Sequence, residues 1–248
     1  MTLKRMAFAV TALIGFLIAL PNMASAQEFT FRVEHDHPIG SCKGELIINQ
    51  DGVEYRTGKK EHARKWAYVD IEMIKLNSPR KVEILTYEST RMKLWRDRAF
   101  EFKALDKELT KEVSDFLLTL VQRPLATTFV ASEEKPQYAI PVRHRRSFGG
   151  DQGTLKVYAD RVVYESQNKQ ESSRYWRWSD IKSFSRIGRY ELSITTFEPK
   201  LGGPTKTFNF DLKEEMNDAM YDYLWARVYR PTLPASPDDK REGERIQP

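Results

Sequence analysis

The sequence predicts an α+β fold that is mainly β, made of two copies of one unit with about seven strands and a C-terminal helix each. Three observations predict it. Residues from Val33 to Pro124 match those from Val142 to Pro231 at a nearly constant offset of about 107–110 residues. Each copy opens with short segments in which apolar and polar residues alternate, bounded by Gly, Asp or Pro, the pattern of half-buried strands. Each then changes to apolar residues three and four apart, which gather on one face of a helix.

The first residues read as an export signal. Lys4 and Arg5 precede a nearly continuous apolar stretch from Met6 to Leu20, Pro21 breaks it, and Ala24-Ser25-Ala26 supplies a small-residue cleavage pattern. That stretch is shorter than the roughly 20 residues a membrane-spanning helix needs, so 1–26 is expected to be removed and the mature chain to work in the periplasm or outside the cell. Loss of Lys4 and Arg5 leaves 38 basic against 35 acidic residues, a net charge of +3. So mild a balance argues against a dedicated nucleic-acid binder. The single cysteine, Cys42, excludes an intrachain disulfide, so the core must be held by packing; a buried, inert thiol is the expectation.

The repeat keeps its order throughout. His35 falls on His144, Gly44-Glu45-Leu46 on Gly153-Thr154-Leu155, and Asp51-Gly52-Val53-Glu54-Tyr55 on Asp160-Arg161-Val162-Val163-Tyr164. The strongest block pairs Arg64-Lys65-Trp66-Ala67-Tyr68-Val69-Asp70-Ile71 with Arg174-Tyr175-Trp176-Arg177-Trp178-Ser179-Asp180-Ile181. Thr86-Tyr87-Glu88 pairs with Thr196-Phe197-Glu198, Phe100-Glu101-Phe102 with Phe208-Asn209-Phe210, and Arg123-Pro124 with Arg230-Pro231.

Strand faces follow from the alternation. Leu46 and Ile48, then Val53 and Tyr55, flank the turn Asn49-Gln50-Asp51-Gly52. Val82, Ile84 and Thr86 share a face, as do Leu192, Ile194 and Thr196 in the second copy. The first helix presents Leu109, Val113, Phe116, Leu117 and Leu120, the second Met216, Met220, Tyr223, Leu224 and Val228. Asp106 and Asp211 stand where they could cap these helices, with Glu214 completing a capping box in the second. Arg123-Pro124 and Arg230-Pro231 end them.

About seven strands followed by one amphipathic helix is the plan of the pleckstrin-homology superfold. The chain resembles its GRAM and bacterial pleckstrin-homology-like branch in the Gly-x-Leu strand, the strand ending in Tyr55 or Tyr164, the aromatic-x-x-Asp-Ile step and the Phe-x-Phe strand before the helix. The resemblance implies two tandem domains, 27–124 and 142–231, each a bent antiparallel sheet whose open end the helix covers. Trp66, Trp176, Phe102 and Phe210 are then core or rim residues. Between the copies, 125–141 carries two prolines and reads as a linker, and 232–248 has almost nothing to bury and is expected to be disordered.

Two clusters could carry chemistry. His35, Asp36 and His37, with Cys42 nearby and His62 farther on, form the one group that could be drawn as a metal site. On a strand His35 and His37 share a face, but the spacing matches no zinc signature, and the second copy has Arg145, Arg146 and Asp151 where the first has Asp36, His37 and Cys42. A structural role is therefore favoured, and no cofactor is expected. The run Arg143-His144-Arg145-Arg146 leads into Ser147-Phe148-Gly149-Gly150. Arg143 and Arg145 share a face and could clamp a phosphate or carboxylate, at the end where phosphoinositide-binding members of the superfold hold headgroups.

Catalysis has little support: no Gly-x-Ser-x-Gly, Gly-x-x-x-x-Gly-Lys or His-Glu-x-x-His pattern occurs, and Asp70 and Asp180 fit a turn or strand-edge role. The expected function is a non-enzymatic binding or scaffolding module of the cell envelope engaging a protein or peptide partner. The alternatives are an anionic lipid headgroup or polysaccharide bound at the basic turn, and a metal-dependent enzyme resting on His35, His37 and Cys42.

Overall fold

The computed structural model describes residues 27–37, 40–89, 97–199 and 203–229; the expected signal segment and C-terminal tail lie outside the described residues. The first half contributes β1 (Phe29–Asp36), β2 (Ser41–Asn49), β3 (Gly52–Thr57), β4 (Arg64–Trp66), β5 (Ile71–Ser78), β6 (Lys81–Ser89), β7 (Asp97–Ala104) and α1 (Lys111–Leu120). A short strand, β8 (Leu125–Thr127), follows. The second half repeats the series as β9 (Tyr138–Arg145), β10 (Gly150–Val157), β11 (Arg161–Ser166), β12 (Arg174–Arg177), β13 (Ile181–Ile187), β14 (Glu191–Thr196), β15 (Lys206–Leu212) and α2 (Asp218–Tyr229).

The expectation of two separate pleckstrin-homology-like domains, each with its own sheet, is overturned. Among the described residues the strands join one 15-stranded sheet in the order β13-β14-β15-β9-β10-β11-β12-β8-β5-β6-β7-β1-β2-β3-β4. The joint is β8. It runs parallel to β5, with Ile74 opposite Leu125 and Leu76 opposite Thr127, and antiparallel to β12, with Tyr175 opposite Thr127.

The physical reason lies in the segment expected to be a linker. Leu125, Ala126 and Thr127 are all buried, so their backbone amides and carbonyls cannot be left to water and must find partners in neighbouring strands. Thr127 Oγ1 accepts from Ser114 Oγ at 2.9 Å and from the Phe129 amide at 3.1 Å, while the Thr128 amide reaches the Leu76 carbonyl at 3.3 Å.

The apolar interiors remain two. One gathers Phe31, Leu46, Tyr55, Trp66, Ile84 and Phe102 under Val113 and Leu117 of α1. The other gathers Leu155, Tyr164, Trp176, Ile194 and Phe210 under Met220 and Leu224 of α2. Equivalent side chains meet equivalent neighbours. The indole of Trp66 lies 4.7 Å from the Phe100 ring and that of Trp176 4.8 Å from Phe208; Phe29 packs edge-on against Phe116 as Tyr138 leans on Tyr223. A Cβ at Gly44 would collide with the Arg56 carbonyl and the Tyr55 ring, and one at Gly153 with the Glu165 carbonyl and the Tyr164 ring. Glycine at these matched positions lets the tyrosine lie flat across β2 or β10.

The expected helix caps are corrected. Asp106 accepts from the amides of Arg32 and Lys107 in the turn after β7, and α1 starts later, after Thr110 without a side-chain cap. Asp211 lies within β15 beside the arginines of β9. The first turn of α2 is capped instead by Asn217, whose Oδ1 accepts from the Met220 amide at 2.7 Å.

At the other end of α1 the halves interlock. Arg177 of β12 donates from Nη1 to the Val121 carbonyl at 2.5 Å and from Nη2 to the Arg123 carbonyl at 2.8 Å. A cation thus meets the carbonyls that the helix end leaves unpaired. Asp180, buried behind it, takes Nε at 2.9 Å and Nη2 at 3.0 Å.

Candidate functional site

The repeat places two related corners, each made where the first hairpin of a half, its aromatic strand and a 3-10 turn meet. In the first half the β1–β2 hairpin closes with the His37 amide on the Gly40 carbonyl at 2.9 Å, and His35 stands opposite Cys42 in the ladder. His35 points into the core, 6% exposed, and its Nδ1 is held 2.8 Å from the Glu101 carbonyl. Its partner is thus the adjacent strand β7.

Of the expected cluster, His37 and Cys42 come together: Nε2 of His37 lies 2.8 Å from Sγ of Cys42. The third member is His62, from the 3-10 turn Lys60–His62, whose ring centroid is 4.1 Å from that of His37. His35 packs against His37 at 4.5 Å behind this group. The Tyr55 hydroxyl closes the floor, 3.0 Å from Cys42 Sγ, and burial pushes its phenol above the ordinary range, with the Cys42 contact adding to the shift.

In the second half the same corner opens into a cleft of about 860 Å³ whose lining includes His144, Arg146, Lys169, Arg174, Lys206 and, from β5 of the first half, Asn77. The single sheet brings that asparagine to the site. Arg174 forms its floor. Nη1 donates to the carbonyls of Glu171 and Ser173 at 3.0 and 2.7 Å, while Nε is buried with no hydrogen-bond partner; burial pulls its pKa down. Lys206 is likewise lowered by burial, against the opposing pull of Glu198, whose Oε2 is 3.7 Å from Nζ.

His144 points inward between these cations. Its Nδ1 is buried and unpartnered, unlike that of His35. Burial, then Arg146 and Arg174, lower its pKa to about 4, so the ring is neutral at pH 7. The unfolded chain takes up a proton near the ordinary value of about 6.5 and the folded chain only near 4, so stability is lost as pH falls between those values. The loss expected is roughly 2 kcal/mol, less than the full shift implies because the ring is partly solvated. Urea midpoints at pH 7 and pH 4.5 check it, and a His144→Gln protein should lack that part of the acid sensitivity.

The arginines of the basic run divide. Arg143 and Arg145 do share the outer face of β9, but both face Asp211, at 4.0 and 3.2 Å, and Arg145 also meets Glu191 at 3.0 Å. A clamp already holding carboxylates is not open to a ligand. Arg146 turns into the cleft and pairs with Asp151 at 2.6 Å. Of the cleft cations missed by sequence reasoning, Arg174 had a signal, since it opens the strongest repeat block, matched by Arg64, whereas Lys206 lies outside the matched blocks.

Among the described residues no helix is long and apolar enough to cross a membrane. Among solved structures, the chain is similar to that of the Spt16D Pob3N heterodimer, with a TM-score of 0.29 and 12% identity over 70% of this chain and 84% of that one; so loose a superposition says nothing about function. No family model and no curated protein matches the chain.

Proposed function

We propose that the chain is a non-enzymatic binding module that takes a phosphate, sulfate or carboxylate group of its ligand in the second-half cleft. The observation that supports this reading is Arg174, a largely buried guanidinium oriented by two carbonyls, with Nε unpartnered at the cleft. A buried cationic donor without a partner is costly, and an anion would supply the missing acceptor through a charge-assisted bond. A site in the cell envelope rests on residues 1–26, outside the described residues.

Titration with inorganic phosphate and sulfate, followed by heteronuclear NMR or calorimetry, tests it. Saturable binding should weaken at least about tenfold in Arg174→Met, the worth of one charge-assisted bond, and fall with added salt. Binding that ignores both would sink the reading.

A second reading, a protein partner, is supported by α2. Tyr221, Trp225 and Tyr229 stack along it at centroid distances of 6.3 and 4.2 Å, and Trp225 and Tyr229 stay 42% and 38% exposed. Tryptophan and tyrosine are enriched among the residues that anchor protein interfaces.

A further inference from the structure

We propose that His37, Cys42 and His62 form a binding site for one borderline-soft divalent metal ion of the zinc class. One ligand atom from each lies within 4.8 Å of the others. The three come from different segments, the β1–β2 turn, β2 and the 3-10 turn after β3, so the fold and not local sequence assembles them. Two imidazoles and a thiol form a nitrogen–sulfur set that suits zinc and its neighbours, whereas magnesium and calcium require oxygens.

The distances fit with small movements. Ligand atoms at ordinary zinc–nitrogen and zinc–sulfur lengths in a tetrahedron stand about 3.4–3.6 Å apart. The 2.8 Å contact between His37 Nε2 and Cys42 Sγ would open slightly, and the wider separations within the 4.8 Å group would close by up to about 1.4 Å. His62 Nδ1 is buried without a hydrogen-bond partner, a cost that a bound ion would offset. Supporting groups surround the site: the Tyr55 hydroxyl on Cys42 Sγ and His35, fixed by the Glu101 carbonyl, against the His37 ring.

The second half supplies an internal comparison. Ladder register puts Arg146 where His37 stands and Asp151, opposite His144, where Cys42 stands. There the corner holds its own cation, the Arg146 guanidinium at 2.6 Å from Asp151. The first half carries metal-ligating side chains in those places and takes its cation from solution. Three protein ligands leave a fourth position, for water or a ligand, on the side where His37 and His62 are half-buried. A nucleophilic role for Cys42 is disfavoured by its burial, at 7% exposure.

The test is titration of the reduced, metal-stripped full-length chain with Zn(II) against a chromophoric chelator, repeated with Co(II) to read the spectrum. One ion per chain and a thiolate-to-cobalt charge-transfer band are expected. His62→Ala should weaken Zn(II) binding at least about 100-fold, beyond what loss of an outer-shell group costs, with an unchanged circular dichroism spectrum, because His62 sits half-buried on a turn. Cys42→Ser should abolish the cobalt band; should that variant misfold, His62→Ala still decides. Less than one ion per chain, a cobalt spectrum without the thiolate band, or His62→Ala binding like the parent overturns the site. So does rapid alkylation of Cys42 by iodoacetamide that Zn(II) does not slow, which would mark a reactive thiol instead.

Discussion

Replacing Trp176 with alanine should lower stability by about 3–5 kcal/mol, the range for emptying a buried large aromatic position. Trp176 is 1% exposed and its indole Nε1 donates to Glu198 Oε1 at 3.0 Å. Glu198 is itself buried, and its other oxygen has Lys206 at 3.7 Å. The substitution therefore opens a cavity and also strips a buried carboxylate of a donor. Trp176→Phe separates the two effects: it refills most of the volume but removes the N–H, and about 1–3 kcal/mol should be lost for the unsatisfied acceptor. Urea unfolding with a shared m-value measures both. A loss under about 1 kcal/mol for the alanine protein would contradict the packing described.

Arg177→Ala is expected to cost about 3–5 kcal/mol as well, for a different reason. The substitution leaves the Asp180 carboxylate buried without its cation and frees the carbonyls of Val121 and Arg123, which follow α1. Burial already pushes the Asp180 carboxyl above its usual range, with Arg177 pulling it back. Without that pull the folded chain would hold its proton to still higher pH than the unfolded chain. Native-state proton binding then exceeds unfolded-state binding, so stability falls as pH rises above the ordinary aspartate value of about 3.9. The variant should therefore be penalised more at pH 7 than at pH 4.5, and adding Asp180→Asn should recover part of the loss. Equal penalties at both pH values would show that Asp180 is not the group left stranded.

The faces of the strands and helices could be read from the alternation itself. Val82, Ile84 and Thr86, and Leu192, Ile194 and Thr196, are buried as their period requires, because a two-residue repeat maps directly onto one side of a sheet. The short strand β8 could not be read this way. Three residues are too few to show a period, and its parallel partner β5 lies about 50 residues earlier.

The same limit explains the sites. His35 and His37 share a face at spacing two, which local geometry reveals, but only the folded chain shows that a carbonyl holds His35 and that a turn 20 residues beyond Cys42 delivers His62. Arg64 and Arg174 were visible as repeats, as were Glu88 and Glu198. Their meaning was not, since each indole–carboxylate bond spans 22 residues. Asp106 and Asp211 precede periodic apolar runs and so resemble caps; tertiary partners claim both before the helix starts.

The seam at β8 also governs how the protein can be divided. A gene fragment ending at residue 124 would leave β5 with a naked border, and one starting at 142 would do the same to β12, since each has β8 as its neighbour in the intact sheet. Such unpaired rims invite strand exchange and aggregation. A division that leaves out β8 therefore strips a border from both halves at once.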